Sequence, residues 1–265
     1  MKCSVVIPSL NQGRYLAEAL ESVLAQAGPN FGVEVEIFLA DAGSSDETLK
    51  VIDRYASHLA WWRSHPDEGQ TAAINEGLQR ATGEVMCYLC ADDYFEPGAL
   101  ARVAEAFESD RSVDMVYGDG FFLEGDSGWK RVKRAGDFSV ERLKQHNFLI
   151  QPAVFWRRGV YEQYGALDAR LRYCMDHEYW LRVSGGTRWR YIPEPLATCR
   201  LHPDAKTSAA LVAAWEETAC MTEVYGLGKA FEHKARWMRC GGARWYHMKR
   251  RLLCRWGKFR AKLHL

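Results

Sequence analysis

Along residues 1–90 short β-branched runs alternate with stretches whose apolar residues recur at helical spacing, and few architectures accept that pattern. Val5-Val6-Ile7 is closed by Pro8, after which Leu16, Leu20, Val23 and Leu24 mark a helix over 13–26. A second run, 35–40, ends at Asp41, and Gly43-Ser44-Ser45-Asp46 then breaks the chain and caps a helix to about residue 55. A weaker strand over 59–63, a loop at Gly69 and a helix over 71–81 lead into a buried strand at 84–89. Four strands joined by three helical crossovers predict an α/β fold: a Rossmann-like, mostly parallel central sheet with flanking helices and right-handed crossovers. Ligands of such sheets gather at the carboxyl edge of the strands. Farther along, the spacing predicts a helix over 97–108, a strand at 115–117, a hairpin within the Gly-rich stretch 118–136, and a helix over 175–183.

Length and composition bound the function classes. The 265 residues suit one domain with an appendage. Hydrophobic residues at 48% beside charged residues at 26% exclude wholesale disorder. No apolar run approaches the roughly 20 residues that cross a bilayer, and the start reaches Pro8 too soon for a signal peptide, so a cytoplasmic protein is expected. The eight cysteines are scattered. Cys87 and Cys90 lack a second pair to complete a zinc site, and buried thiols in a reducing compartment are expected.

Acids fall where the fold would use them. Asp41 and the pair Asp92, Asp93 each follow a predicted strand, which delivers independent carboxylates to one edge. A dinucleotide site would want Gly-x-Gly-x-x-Gly after the first strand, and Ser9-Leu10-Asn11-Gln12-Gly13 stands there instead. Adjacent Asp92 and Asp93 repel, and a divalent ion is the economical neutraliser: Mg2+ or Mn2+ takes a few protein oxygens and completes its shell from a diphosphate. Helix capping before Pro97 is the alternative. In Asp176-His177-Glu178-Tyr179-Trp180-Leu181-Arg182 the aromatics can bury while Asp176 faces a cavity, or Asp176 simply favours a helix N-terminus.

The ordered set Val5-Val6-Ile7-Pro8-Ser9, Asp41 to Asp46, Gly69-Gln70-Thr71 with Asn75 and Gly77, Ala81-Thr82-Gly83-Glu84, Asp92-Asp93, Gln151-Pro152 and Asp176 to Arg182 resembles glycosyltransferase family 2 over about residues 2–208. The resemblance implies the glycosyltransferase A fold, a bound Mn2+ or Mg2+, and inversion at the anomeric carbon. It further implies that Asp41 accepts the imide N–H of uracil or thymine, that Asp92 and Asp93 form the metal and ribose-diphosphate motif with Asp93 the direct ligand, and that Asp176 is the general base. Pro8, Gln70, Asn75 and Arg80 join the donor-binding set by the same carry-over. In Arg200-Leu201-His202-Pro203-Asp204-Ala205-Lys206, His202 would touch the metal or diphosphate and Arg200 or Lys206 would clamp phosphate oxygens; a surface-loop histidine and a packing asparagine at 75 are the alternatives. The family often carries another acid or Asn near position 90, where this chain has Cys90.

The extent of the resemblance implies a catalytic domain, 1–208, followed by a helical, basic and amphipathic extension, 209–265, and charge is divided within that extension. From 229 onward 12 Lys and Arg face one Glu, leaving 23 basic and 33 acidic residues before that point. Trp245, Met248, Leu252, Trp256, Phe259 and Leu263 form one helical stripe flanked by cations, as expected of a helix lying on an anionic membrane surface; packing on the catalytic domain or a twin subunit is the alternative. No nucleic-acid reader motif accompanies it. The expected partners are a nucleotide-diphosphate-sugar donor and a glycan or lipid-linked acceptor, with peripheral attachment to the inner face of the membrane and a homodimer left open. Rival readings are a sugar nucleotidyltransferase, which would want a Gly-rich basic loop after the first strand, and a silent nucleotide-sugar-binding module.

Overall fold

The computed structural model describes residues 1–28, 32–125, 128–245 and 248. The β-branched run at the start forms β1 (Lys2–Ser9), buried from Cys3 onward. β2 (Glu34–Asp41) and β3 (Trp61–Ser64) join it in parallel on one side and β4 (Val85–Tyr88) on the other, giving the order β3-β2-β1-β4. The crossovers are α1 (Gly13–Leu24), α2 (Thr48–Tyr55) and α3 (Gln70–Arg80). Leu16, Leu20 and Val23 of α1 are fully buried; each contributes about 1.5–3 kcal/mol by leaving water. The alternation in the sequence is thus the alternation in space.

The second half closes the sheet differently. β5 (Tyr94–Phe95) and α4 (Ala99–Ser109) precede β6 (Met115–Glu124), which turns back through β7 (Lys130–Lys133), the hairpin expected of the Gly-rich stretch. α5 (Val140–Gln145), β8 (Val154–Arg157), α6 (Arg158–Tyr164) and α7 (Met175–Ser184) follow. β8 enters antiparallel between β4 and β6, and the complete order is β3-β2-β1-β4-β8-β6-β9-β5 with β7 on β6. The strand β9 (Trp189–Leu201) has no counterpart in the sequence-based expectation. Pro193 and Pro195 make that stretch resemble a turn, and the structure places them where the register with β6 shifts, from Gly118 opposite Ile192 to Asp119 opposite Pro195.

Beyond β9 lie α8 (Lys206–Ala209), α9 (Leu211–Cys220), α10 (Thr222–Tyr225) and α11 (Ala230–Trp237). They pack on α7: the Phe231 ring lies 5.6 Å from His177 and 6.2 Å from Trp215. Of the basic stripe, only Trp245 and Met248 are among the described residues, and both are exposed; the rest lies outside them. No helix among the described residues is long and apolar enough to cross a membrane.

One contact between α3 and β1 is tight enough to test. A Cβ on Gly77 would lie 2.4 Å from Cγ1 of Val6. Alanine gains about 1 kcal/mol of helix propensity over glycine, but overpacking a filled core costs about 1–3 kcal/mol and needs the strand to shift. Gly77→Ala is expected to lower stability in denaturant titration; a raised midpoint would show that the interface yields.

Candidate active site

The chain winds one way from β1 to β3 and the other way from β1 to β4, so a crevice opens at the carboxyl ends of β1 and β4. A cavity of about 320 Å3 occupies it, walled by Pro8, Ser9, Ala42, Asp67, Gln70 and Cys90 among others. The Ser9 hydroxyl is buried there with no protein partner. The turns after β1 and β2 interlock to shape the floor. Asn11, held at φ 52°, accepts the Ser45 amide at 2.9 Å and donates its own N–H to Ser44 Oγ at 2.7 Å.

Asp41 ends β2 directly beneath this cavity and is fully buried. Its Oδ2 accepts the amides of Gly43 and Ser44 and the Ser64 hydroxyl at 3.1, 2.9 and 2.6 Å, and Oδ1 accepts the Ser44 hydroxyl at 2.5 Å. With these lone pairs engaged, Asp41 organises the turn that carries Ala42 to the cavity wall. Among the acids that do reach the wall is Asp67, fixed by Arg63 at 2.8 Å and by the Gly69 amide at 2.8 Å, with further lone pairs open.

Asp92 and Asp93 follow β4 and meet the end of β9. The Arg200 amide donates to Asp93 Oδ1 at 2.8 Å, and His202 Nε2 lies 2.9 Å from Asp92 Oδ2. Arg200 is buried over the Tyr15 ring at 4.6 Å, its guanidinium bound to Glu18 and to the Asp92 carbonyl oxygen. That guanidinium therefore braces the acidic turn. Tyr15 also packs on His202, with ring centroids 5.1 Å apart. Burial pushes the Asp93 carboxyl well up, and the neighbouring Asp92 charge adds to it. Two crowded carboxylates held in place by a backbone amide and an imidazole are a donor set for a cation. Ligand atoms of Cys90, Asp92 and Asp93 lie within 4.8 Å of one another. The hard carboxylate oxygens fit Mg2+ or Mn2+, while the Cys90 thiol is occupied by Gln70 Nε2 at 3.3 Å and Gln151 Oε1 at 3.7 Å.

A second chamber of about 240 Å3 adjoins the first, sharing Gln70, Cys90, Asp92, Arg172 and Lys206 with it. Asp93, Asp176, Tyr173 and Gln151 line it. Asp176 stands in the first turn of α7, accepting the Asn147 amide at 3.2 Å. Burial pushes its carboxyl up, partly offset by His177 and Asn147. Lys206 donates to Gln70 at 2.9 Å and lies 5.7 Å over the Tyr173 ring; burial lowers its pKa. Asp92, Asp93, Asp176, Gln70 and Lys206 thus converge as the sequence pattern requires.

Two expected donor residues do not. Asn75 gives its whole amide to Leu167, donating Nδ2 to the carbonyl at 2.8 Å and accepting the N–H at 3.0 Å, so it packs helix against loop. Arg80 lies at the far end of α3 over Trp61 at 4.3 Å, about 15 Å of helix away from the carboxyl edge where α3 starts. Conversely, Asp67, Arg172, Asn147 and Gln151 went unremarked as site residues. Asp67 was findable, since it follows β3 as Asp41 follows β2; Arg172 and Asn147 sit in loops whose pattern carries no period.

The sequence matches the model of glycosyl transferase family 2 over residues 4–167. Over 183 residues it is 32% identical to the PGL/p-HBAD biosynthesis glycosyltransferase of Mycobacterium tuberculosis, covering 68% of each chain. It is 37% identical over 126 residues to an uncharacterized glycosyltransferase of Nostoc sp., 44% of this chain and 36% of that one. In fold it resembles S. aureus TarS 1-349 in complex with UDP-GlcNAc, with a TM-score of 0.68 at 18% identity, over 88% of this chain and 69% of the other. The mannosyltransferase PcManGT of Pyrobaculum calidifontis, in complex with GDP-Man and Mn2+, gives 0.63 at 19% identity over 98% and 73%. The chain belongs to glycosyl transferase family 2 and has its glycosyltransferase A architecture; it is a glycosyltransferase.

The arrangement around Asp41 predicts a stability effect. Asp41→Ala leaves the Gly43 and Ser44 amides, the latter buried, and two hydroxyls without their acceptor, and about 2–4 kcal/mol of unfolding free energy is expected to go with it. Equilibrium unfolding checks this, and a loss under about 0.5 kcal/mol would remove the organising role.

Proposed function

We propose that the protein is a metal-dependent, inverting glycosyltransferase that moves a sugar from a UDP- or dTDP-sugar to an acceptor hydroxyl in the synthesis of a surface polysaccharide or lipid-linked glycan. The observation that carries this reading is that Asp93 and Asp176 line one chamber continuous with the crevice beyond β1 and β4. The nucleotide occupies the crevice, its base between Pro8 and Ala42, with Asp67 as acceptor for an imide N–H and the buried Ser9 hydroxyl as a further donor or acceptor. Lys206 and Arg172 stand where the two cavities meet and face the diphosphate. Asp92 and Asp93 would hold the ion, which when bound supplies positive charge for the departing diphosphate.

Asp176 acts as the base. It takes the proton of the acceptor hydroxyl as the oxygen bonds to the anomeric carbon, while the bond from that carbon to the diphosphate oxygen breaks and the electron pair leaves with the nucleotide. Apart from the two crowded acids of the metal motif, Asp176 is the only carboxylate lining the chamber among the described residues. One base without a separate nucleophile suits a single displacement, hence inversion. The complexes of the fold relatives with UDP-GlcNAc and with GDP-Man and Mn2+ support a nucleotide-sugar donor and a divalent ion. The name of the mycobacterial relative supports a glycolipid-related pathway.

Screening UDP-, dTDP- and GDP-sugars with Mn2+ for nucleotide release tests the whole reading; no release from any of them would overturn it. Asp176→Asn is expected to leave donor affinity near normal and to lower turnover by about 10² or more; unchanged turnover removes the base. Because burial raises the Asp176 pKa, the base is lost as pH falls through that raised value. The acidic limb of kcat is therefore expected above the ordinary carboxylate position of about 3.9. Asp93→Ala should abolish the gain in UDP affinity that Mn2+ gives in calorimetry, and equal affinity with and without chelator in the native protein would count against the ion.

A further inference from the structure

Glu217 lies on α9, outside the segment 4–167 that matches the family model. Its carboxylate accepts three consecutive backbone amides: Arg172 on Oε2 at 2.8 Å, and Tyr173 and Cys174 on Oε1 at 2.6 and 2.8 Å. The Cys174 thiol adds a contact at 3.1 Å. Burial opposes ionisation of Glu217, and the three amide donors outweigh it, holding the carboxyl below its usual range. These are the residues that run into α7, one turn before Asp176, where amides lack helical acceptors. Arg172 and Tyr173 both line the chamber.

The same loop is fastened on its other side by α3, where Asn75 holds Leu167 and the Thr71 hydroxyl donates to the Leu171 carbonyl at 2.8 Å. α7 is divided in the same way. Asp176 faces the chamber, whereas Cys174 meets Met221 at 3.8 Å, His177 meets Phe231, and Glu178 accepts the Tyr225 hydroxyl. Met221, Phe231 and Tyr225, which meet α7 on the side away from the chamber, all come from the helices after residue 209.

We infer that Glu217 is a positioning residue for glycosyl transfer: by gripping the main chain of residues 172–174 it sets Arg172, Tyr173 and Asp176 against the donor. The helices after α8 are then a working part of the catalytic unit. This inference rests on the glycosyl-transfer reading, and misplacing a base by about 1 Å costs on the order of 10²-fold in rate.

The test uses the full chain carrying Glu217→Ala or Glu217→Gln. For Glu217→Ala, hydrogen exchange at the amides of 172–174 is expected to quicken at least tenfold, with kcat falling on the order of 10²-fold and donor KM changing by less than about threefold. Glu217→Gln keeps a carbonyl acceptor and should recover part of kcat. Amides that stay protected, or a kcat per folded molecule equal to wild type despite a lowered melting temperature, would overturn the positioning role. Wild-type protein that transfers no sugar would instead overturn the glycosyl-transfer reading, so the two failures are distinguishable.

Discussion

The hydrogen bond from the Arg200 amide to Asp93 joins residues 107 positions apart, and the cleft depends on it. Asp93 leaves a strand of the parallel half, while Arg200 ends the long strand that runs beside β6. Their meeting brings His202 against Asp92 and buries Asp93. Two adjacent carboxylates, one of them buried, are costly while unneutralised, so the chemistry of the corner fits a cation.

Much of this was legible in the sequence, for a definite reason. β1 to β4 and their helices announce themselves through period, because β1 and β4 are buried on both faces, β2 is buried over its last five residues, and each helix is buried on one face. The carboxyl-edge rule then points to Asp92 and Asp93 without any coordinates. What stayed hidden is what lacks a local period. β9 carries two prolines and shows no clean alternation, so its pairing is visible only once β6 lies beside it. Asn147 and Arg172 reach the site from loops, and their importance comes from tertiary neighbours. The four donors around Asp41 were equally hidden, because the Ser44 and Ser64 hydroxyls and the Gly43 and Ser44 amides reach it only once the turn after β2 and the end of β3 lie beside it.

Polar side chains do their structural work here chiefly by binding main chain. Asp41 holds the turn after β2, Gln151 donates to the Tyr88 carbonyl at 2.7 Å, and Asn75 and Glu217 grip the loop before α7 from opposite sides. In each case the partners include a main-chain amide or carbonyl, groups that every residue type but proline supplies in full.

That choice of partner has an evolutionary consequence for the segment from 165 to 174. Its path is fastened through main-chain atoms, so the side chains it projects, Arg172 and Tyr173 among them, can be exchanged for any residue but proline without loosening the backbone. Point substitution in this one stretch can therefore change what the chamber presents to its ligands while the path of the main chain stays the same.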